Sequence, residues 1–136
     1  MGKKITWFDM ISKDERKHQE EKYNKMMFPF GLNQRDKELA LLKELIPNKK
    51  GEDCLYQVIL LKEIFLTSDT HLSYKECLEN RDIQEELYGW EKGILTSKFT
   101  NDEKDCLCKF AYKCLHIEKL EDLPNESILS WINQID

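Results

Sequence analysis

Four side chains in the C-terminal third of the sequence are of the types that bind metal ions: Cys106, Cys108, Cys114 and His116. Zinc takes about four thiolate or imidazole ligands that converge tetrahedrally, and cysteine pairs in such sites are usually separated by two to four residues. Here a single residue separates the first pair inside a predicted helix. At helical spacing these two thiols lie on opposite borders of the apolar stripe, while His116 points to the polar side. We therefore expect half-buried structural thiols, and metal binding is the least favoured function.

Other patterns that could carry chemistry are incomplete. Glu15-Arg16-Lys17-His18 is a Glu-x-x-His half-motif of di-iron carboxylate bundles, but the second copy that such a site needs does not occur. The sequence has neither a glycine-rich phosphate loop nor a Gly-x-Ser-x-Gly elbow. No acidic residue stands out on an apolar face. We therefore predict a protein that is not an enzyme, with no catalytic residue, no cofactor and no metal site.

Composition narrows the class of protein. A chain of 136 residues fits a single domain. Its 26 acidic and 21 basic residues give a net charge of −5, which disfavours binding to nucleic acid unless a local basic patch works against the overall field. The count of five cysteines is odd, and the sequence contains no signal-peptide pattern and no membrane-spanning apolar run. These features predict a soluble, cytoplasmic protein.

Periodicity predicts an all-α fold, a single compact irregular or orthogonal bundle of about five to seven helices over residues 1–136, with an apolar N-terminal arm at 1–11. Trp90–Phe99 is expected to be a loop with a helical turn. The predicted helices are Lys13–Met26, Asn33–Ile46, Glu52–Thr67, Ser73–Asn80, Asp82–Tyr88, Asn101–Glu118 and Asn125–Ile135.

Local signals predict where several helices begin and end. Ser12, Ser73 and Thr100 each stand three residues before a glutamate, which is the spacing of a capping box. Asn80 is expected to stop one helix in a left-handed conformation, and Gly89 to follow the end of the next. In the last helix we expect a buried side made of Ile128, Leu129, Trp131, Ile132 and Ile135.

The Glu52–Thr67 helix differs from the others because its apolar residues extend almost all the way round. Only Gln57, Lys62 and Glu63 interrupt the apolar run that begins at Cys54. A helix of this kind lies at the centre of a bundle or has a second face covered by a partner.

Bulky apolar residues gather at both ends of the very polar Lys13–Met26 helix. They either pack in the core or form an exposed patch for a protein partner, where aromatic residues and methionine are enriched. We predict partner contacts at Trp7, Phe8, Met27, Phe28 and Phe30. The function predicted is therefore a small acidic protein-binding module, such as a regulator, adaptor or immunity-like inhibitor, whose partner is another protein, with a basic protein or a second copy of the chain as candidates. The alternative is a helix-turn-helix DNA-binding regulator that uses residues 73–88, although Glu85 and Glu86 would repel phosphates there.

Overall fold

The computed structural model describes residues 13–67 and 72–135, with side chains from residue 17 onward. These residues form an all-helical bundle with compact packing and no β-strand in the described ranges. Two short 3-10 turns, Ile94–Thr96 and Leu120–Asp122, lie between helices. The seven α-helices are α1 (Lys13–Met27), α2 (Leu32–Leu45), α3 (Gly51–Phe65), α4 (Tyr74–Glu79), α5 (Arg81–Glu91), α6 (Asn101–Leu115) and α7 (Ile128–Asn133).

Helix α3 is the centre of the bundle, as its all-round apolar sequence predicts. It packs most extensively against α6, then against α2 and α5, and it also contacts α1. Leu55, Val58 and Leu61 are at most 2% exposed. Burying large aliphatic side chains contributes roughly 1.5–3 kcal/mol each, so this helix supplies much of the driving force for folding. The start of α3 approaches α2 closely at Gly51, because a Cβ atom there would lie 2.8 Å from Cγ of Lys43.

The polar helix α1 attaches to the bundle mainly by its C-terminal end. Residues 17–26 are exposed, whereas Met27 is only 1% exposed. The Tyr23 hydroxyl donates a hydrogen bond to the Glu63 carboxylate of α3. This contact and burial together raise the pKa of Tyr23 to about 12. The helix therefore projects a charged surface into solvent and is fastened to the bundle near the turn that follows it.

Two of the predicted capping boxes are confirmed. The Ser73 hydroxyl accepts from the Glu76 amide at 3.1 Å, and the Glu76 carboxylate accepts from the Ser73 amide at 3.1 Å. Thr100 and Glu103 make the same reciprocal pair at 3.1 Å and 2.8 Å. Each box satisfies amides that a helix start would otherwise leave without partners. The box predicted at Ser12 lies outside the described residues.

Asn80 ends α4 as predicted, but the predicted left-handed conformation is wrong, and so is the predicted stop at Gly89. Asn80 has extended backbone geometry, with φ −70° and ψ 126°, and its side-chain oxygen accepts from the Ile83 amide at 3.1 Å. It therefore caps the start of α5 as well as ending α4. Gly89 lies inside α5, which continues to Glu91 because Trp90 packs against the core.

The C-terminal helices are shorter than predicted. Helix α6 ends at Leu115, and α7 extends only from Ile128 to Asn133. Ile128 and Ile132 are buried as expected, but Leu129 is 56% exposed. A helix this short offers a narrow buried face, and Leu129 falls outside it. No helix in the described parts of the chain is both long enough and apolar enough to cross a membrane.

Candidate functional site

A buried ion pair lies in the middle of the bundle, between Glu38 of α2 and Lys62 of α3. Both side chains are 0% exposed. The Lys62 ammonium lies 2.9 Å from each carboxylate oxygen of Glu38 and donates to the Met27 carbonyl at 2.8 Å. It also lies 4.4 Å from the centroid of the Phe28 ring. The three donors of the ammonium thus face three oxygen atoms, so the hydrogen-bonding capacity of the buried group is satisfied.

Gln34 extends this network to the turn between α1 and α2. Its side-chain amide donates to Glu38 at 2.8 Å, and its oxygen accepts from the Phe30 amide at 3.0 Å. Lys62 binds the backbone on the other side of the same turn through Met27. The network therefore fixes the turn at residues 28–31 against the central helix.

The sequence contained a signal for this network that the sequence analysis missed. Glu38 stands three and four residues before Leu41 and Leu42, and Gln34 precedes Glu38 by four, so all of them share one helix face. The expectation that no acidic residue stands out on an apolar face is therefore wrong. Polar residues in such a stripe indicate a buried network, and Lys62 in the apolar α3 sequence is the complementary charge.

Burial raises the pKa of the Glu38 carboxyl, while Lys62, Gln34 and the Cys114 thiol oppose that rise. Cys114 is buried against the same carboxylate, and burial also raises the pKa of its thiol. Because solvent reaches neither Glu38 nor Lys62, no substrate can contact them in this conformation. The pair acts on structure rather than on a ligand.

A second feature is a cluster of exposed apolar side chains around the 3-10 turn after α5. Ile94 and Leu95 are 89% and 61% exposed, and Tyr56 of α3 beside them is 50% exposed. These three residues share a cavity of about 310 Å³ with Phe99, and we call them together with Phe99 the turn surface. Gln57 and three charged residues complete the lining of the cavity: Lys49, Asp53 and Lys98.

Buried hydrogen bonds hold the backbone of the turn surface. The Thr96 hydroxyl, in a residue only 1% exposed, lies 2.6 Å from the Trp90 carbonyl and 2.9 Å from the Gly93 carbonyl. Gln57 of α3 reaches the same region, since its oxygen accepts from the Trp90 indole at 2.8 Å and its amide donates to the Leu95 carbonyl at 3.5 Å. The turn is therefore tied to the central helix while its apolar side chains face solvent.

A third feature is a groove of about 480 Å³ at the turn between α1 and α2, which we call the 28–35 groove. We call its apolar lining the floor (Phe28, Pro29, Gly31 and Leu32) and its polar lining the rim (Glu21, Asn24, Lys25 and Arg35). Gly31 has φ +83°, a left-handed conformation that a side chain would strain. The groove thus depends on the backbone geometry that the Gln34 and Lys62 hydrogen bonds hold.

The predicted partner contacts that the structure describes differ in exposure. Trp7 and Phe8 lie outside the described residues. Met27 and Phe28 are 1% and 8% exposed and belong to the core, so in this conformation Met27 offers no surface and Phe28 offers only the edge that lines the 28–35 groove. Phe30 is 37% exposed beside that groove. Ile94 and Leu95, the most exposed side chains of the turn surface, were not among the predicted contacts, because an apolar pair in a loop gives no periodic signal.

The cysteines do not assemble with other ligands. Within the described residues no three His, Cys, Asp or Glu side chains gather where they could hold a metal ion. Cys106 and Cys108 are half-buried and Cys114 is buried, as their helical positions predict, and all five cysteines of the chain are free thiols. Burial raises the pKa of Cys108 to about 12 and that of Cys54 to about 11. Thiols in this state are poor nucleophiles at neutral pH.

The segment considered for DNA binding has an unusual connection. Asn80 alone separates α4 from α5, whereas a helix-turn-helix uses a turn of about three or four residues. The exposed positions of α5 include Asp82, Glu85 and Glu86. Duplex binding by residues 73–88 stays a prediction to which this geometry adds no support.

Comparison with protein-family models, with curated proteins and with solved structures gave no match to this chain. The class of protein defined by the fold is therefore a small helical bundle with a buried ion pair and two apolar surface features, and its function is inferred from those features.

Proposed function

We propose that the protein is a non-enzymatic module that binds another protein through the turn surface and acts as a regulator, adaptor or inhibitor. The observation that carries this proposal is the combination of exposure and rigidity at Ile94 and Leu95, which are 89% and 61% exposed on a turn held by the Thr96 hydroxyl. Apolar side chains grouped around an aromatic residue are typical of the centre of a protein interface. A backbone that is already fixed loses little conformational entropy when a partner binds.

The charge of the chain supports a protein partner and indicates the sign of that partner's charge. The net charge of −5 attracts a basic protein over a long range, which speeds association more than it strengthens the final complex. Lys49, Lys98 and Asp53 around the turn surface supply a polar rim of mixed sign. The five free thiols suit the reducing conditions of the cytoplasm, where we place the protein.

The test is affinity capture of the tagged protein from nuclease-treated lysate of its own cells, followed by mass spectrometry. The variant is Ile94→Asp/Leu95→Asp, which places two charges at exposed positions. Leu129→Asp is the matched control, because Leu129 is a 56% exposed apolar residue on another helix. Circular dichroism checks that all proteins remain folded. We expect a partner that is retained by wild type and by the control and lost with the double variant.

A Trp7→Ala/Phe8→Ala variant in the same experiment tests the predicted contribution of the N-terminal arm. A partner lost with that variant but retained by Ile94→Asp/Leu95→Asp would move the interface away from the turn surface. Equal capture by all variants, or no partner at all for a protein that light scattering shows to be monomeric, would contradict the proposal. Metal analysis and salt-dependent duplex-binding assays would then test the remaining alternatives.

A further inference from the structure

We infer that the 28–35 groove binds an acidic segment of another protein that carries large apolar side chains. This inference goes beyond the proposed function, because the groove and the turn surface are built from different residues. An apolar floor with charged residues at its rim is the usual form of a groove that accepts an amphipathic peptide.

The floor of the groove is apolar and fixed. The Phe28 ring packs against the Lys62 ammonium, which lies 4.4 Å from the ring centroid, and the backbone at Phe30 is held by the hydrogen bond from its amide to Gln34. Leu32, which also belongs to the floor, is 77% exposed. The groove volume of about 480 Å³ is enough for a few large side chains of a ligand.

The sign of the charge at the rim selects the occupant. Among the described residues that line the groove, Lys25 and Arg35 outnumber the one anion, Glu21, which leaves a local excess of positive charge in a chain whose net charge is −5. Complementary charge across a protein interface favours the right partner and disfavours others. A positively charged rim therefore favours a negatively charged partner segment. Carboxylates on either side of a buried apolar residue would face Lys25 and Arg35.

The same charge argument disfavours one alternative occupant, the chain's own apolar segment at residues 1–12. That segment carries Lys3 and Lys4 against Asp9, and so has the wrong sign for this rim. A second copy of the chain is the other alternative, and it predicts self-association that depends on the groove.

The experiment uses the full chain and a phage-displayed library of random peptides of roughly 12 residues as the probe. Peptides that bind are then synthesised with a fluorescent label, and their affinity is measured by anisotropy. The variants are Lys25→Glu, Arg35→Glu and Leu32→Asp. Leu32 is the first residue of α2, where an acidic side chain favours the helix dipole, so Leu32→Asp removes apolar contact and repels an anion without weakening the helix. Lys22→Glu is the matched control, because it reverses an exposed charge on α1 that does not line the groove.

We expect the selected peptides to be acidic and to contain Phe, Leu or Trp. Each of the three variants should weaken their binding at least about fivefold, Lys22→Glu should leave it nearly unchanged, and added salt should weaken it. Ile94→Asp/Leu95→Asp should bind these peptides normally, which keeps this test separate from that of the turn surface.

Several results would overturn the inference. These are selection of no peptide, selection of peptides without acidic residues, or affinities that Lys25→Glu and Arg35→Glu leave unchanged. Self-association of the wild type that Leu32→Asp abolishes would assign the groove to a second copy. Peptide binding that appears only after residues 1–12 are deleted would assign it to the N-terminal segment.

Discussion

Replacement of Lys62 by methionine tests whether the buried ion pair stabilises the bundle. Methionine has a similar length and no charge, so Lys62→Met leaves Glu38 without its cation and the Met27 carbonyl without its donor. Breaking a buried pair by removing one partner costs about 3–5 kcal/mol of the free energy of unfolding. A domain of this kind has a total free energy of unfolding of about 5–15 kcal/mol, so the loss is large enough to measure. The variant stays folded over most of that range of wild-type stability.

The loss should depend on pH with a definite sign. Burial raises the pKa of Glu38, and Lys62 opposes that rise, so Lys62→Met raises this pKa further. Above the unfolded-state pKa of about 4.3, the folded variant then keeps a proton that the unfolded chain has released. The free energy of unfolding therefore falls as pH rises, by up to about 1.4 kcal/mol per pH unit, until the folded-state pKa is passed. The wild type should show the same fall over a narrower pH range.

The assay is urea unfolding followed by circular dichroism between about pH 5 and about pH 8. Arg81→Met is the matched control, because Arg81 and Glu85 form an exposed pair 3.9 Å apart whose loss should leave the unfolding midpoint unchanged. Glu38→Leu should be strongly destabilising because it strands Lys62, whereas Glu38→Leu/Lys62→Met should recover much of that loss. If Lys62→Met has the same unfolding midpoint as the wild type at every pH, the ion pair does not stabilise the bundle. Strictly additive effects in the double variant would contradict the coupling between the two residues.

Two further predictions concern a helix start and the thiols. Thr100→Ala should lower the free energy of unfolding by about 1 kcal/mol, because it removes the side chain that caps α6 in the capping box. Thr67→Ala, just after the end of α3, serves as the comparison. Urea unfolding measures both variants, and equal effects would contradict the role of the box. The raised pKa values of Cys54 (about 11) and Cys108 (about 12) leave almost no thiolate near pH 8, so a disulfide reagent should label the native protein much more slowly than the urea-unfolded protein. Mass spectrometry of the peptides measures the labelling of each thiol. Equal labelling rates in the native and unfolded states would show that burial does not protect these thiols.

The all-α class, the existence of the helices and two of the capping boxes were predictable from the residues alone. These features depend on residues within about four positions of one another, where periodicity and side-chain caps act directly. The central place of α3 was also predictable, because a helix that is apolar all round has to be covered on every side. At Asn80 the same local rules predicted the helix end correctly but the backbone conformation wrongly, because Asn80 is extended and its side chain caps the start of α5.

Contacts between residues far apart in the chain depend on how the helices pack. Glu38 and Lys62 are 24 positions apart, and Gln57 lies 38 positions from the Leu95 carbonyl to which it donates. Periodicity places a residue on a face of its own helix but does not say which face of another helix packs against it. The ion pair therefore emerged only from the packing of α2 against α3. The turn at Ile94 and Leu95 and the 28–35 groove are lined or held by nearby residues, but Gln57 and Lys62 tie them to α3 through contacts that local sequence does not predict.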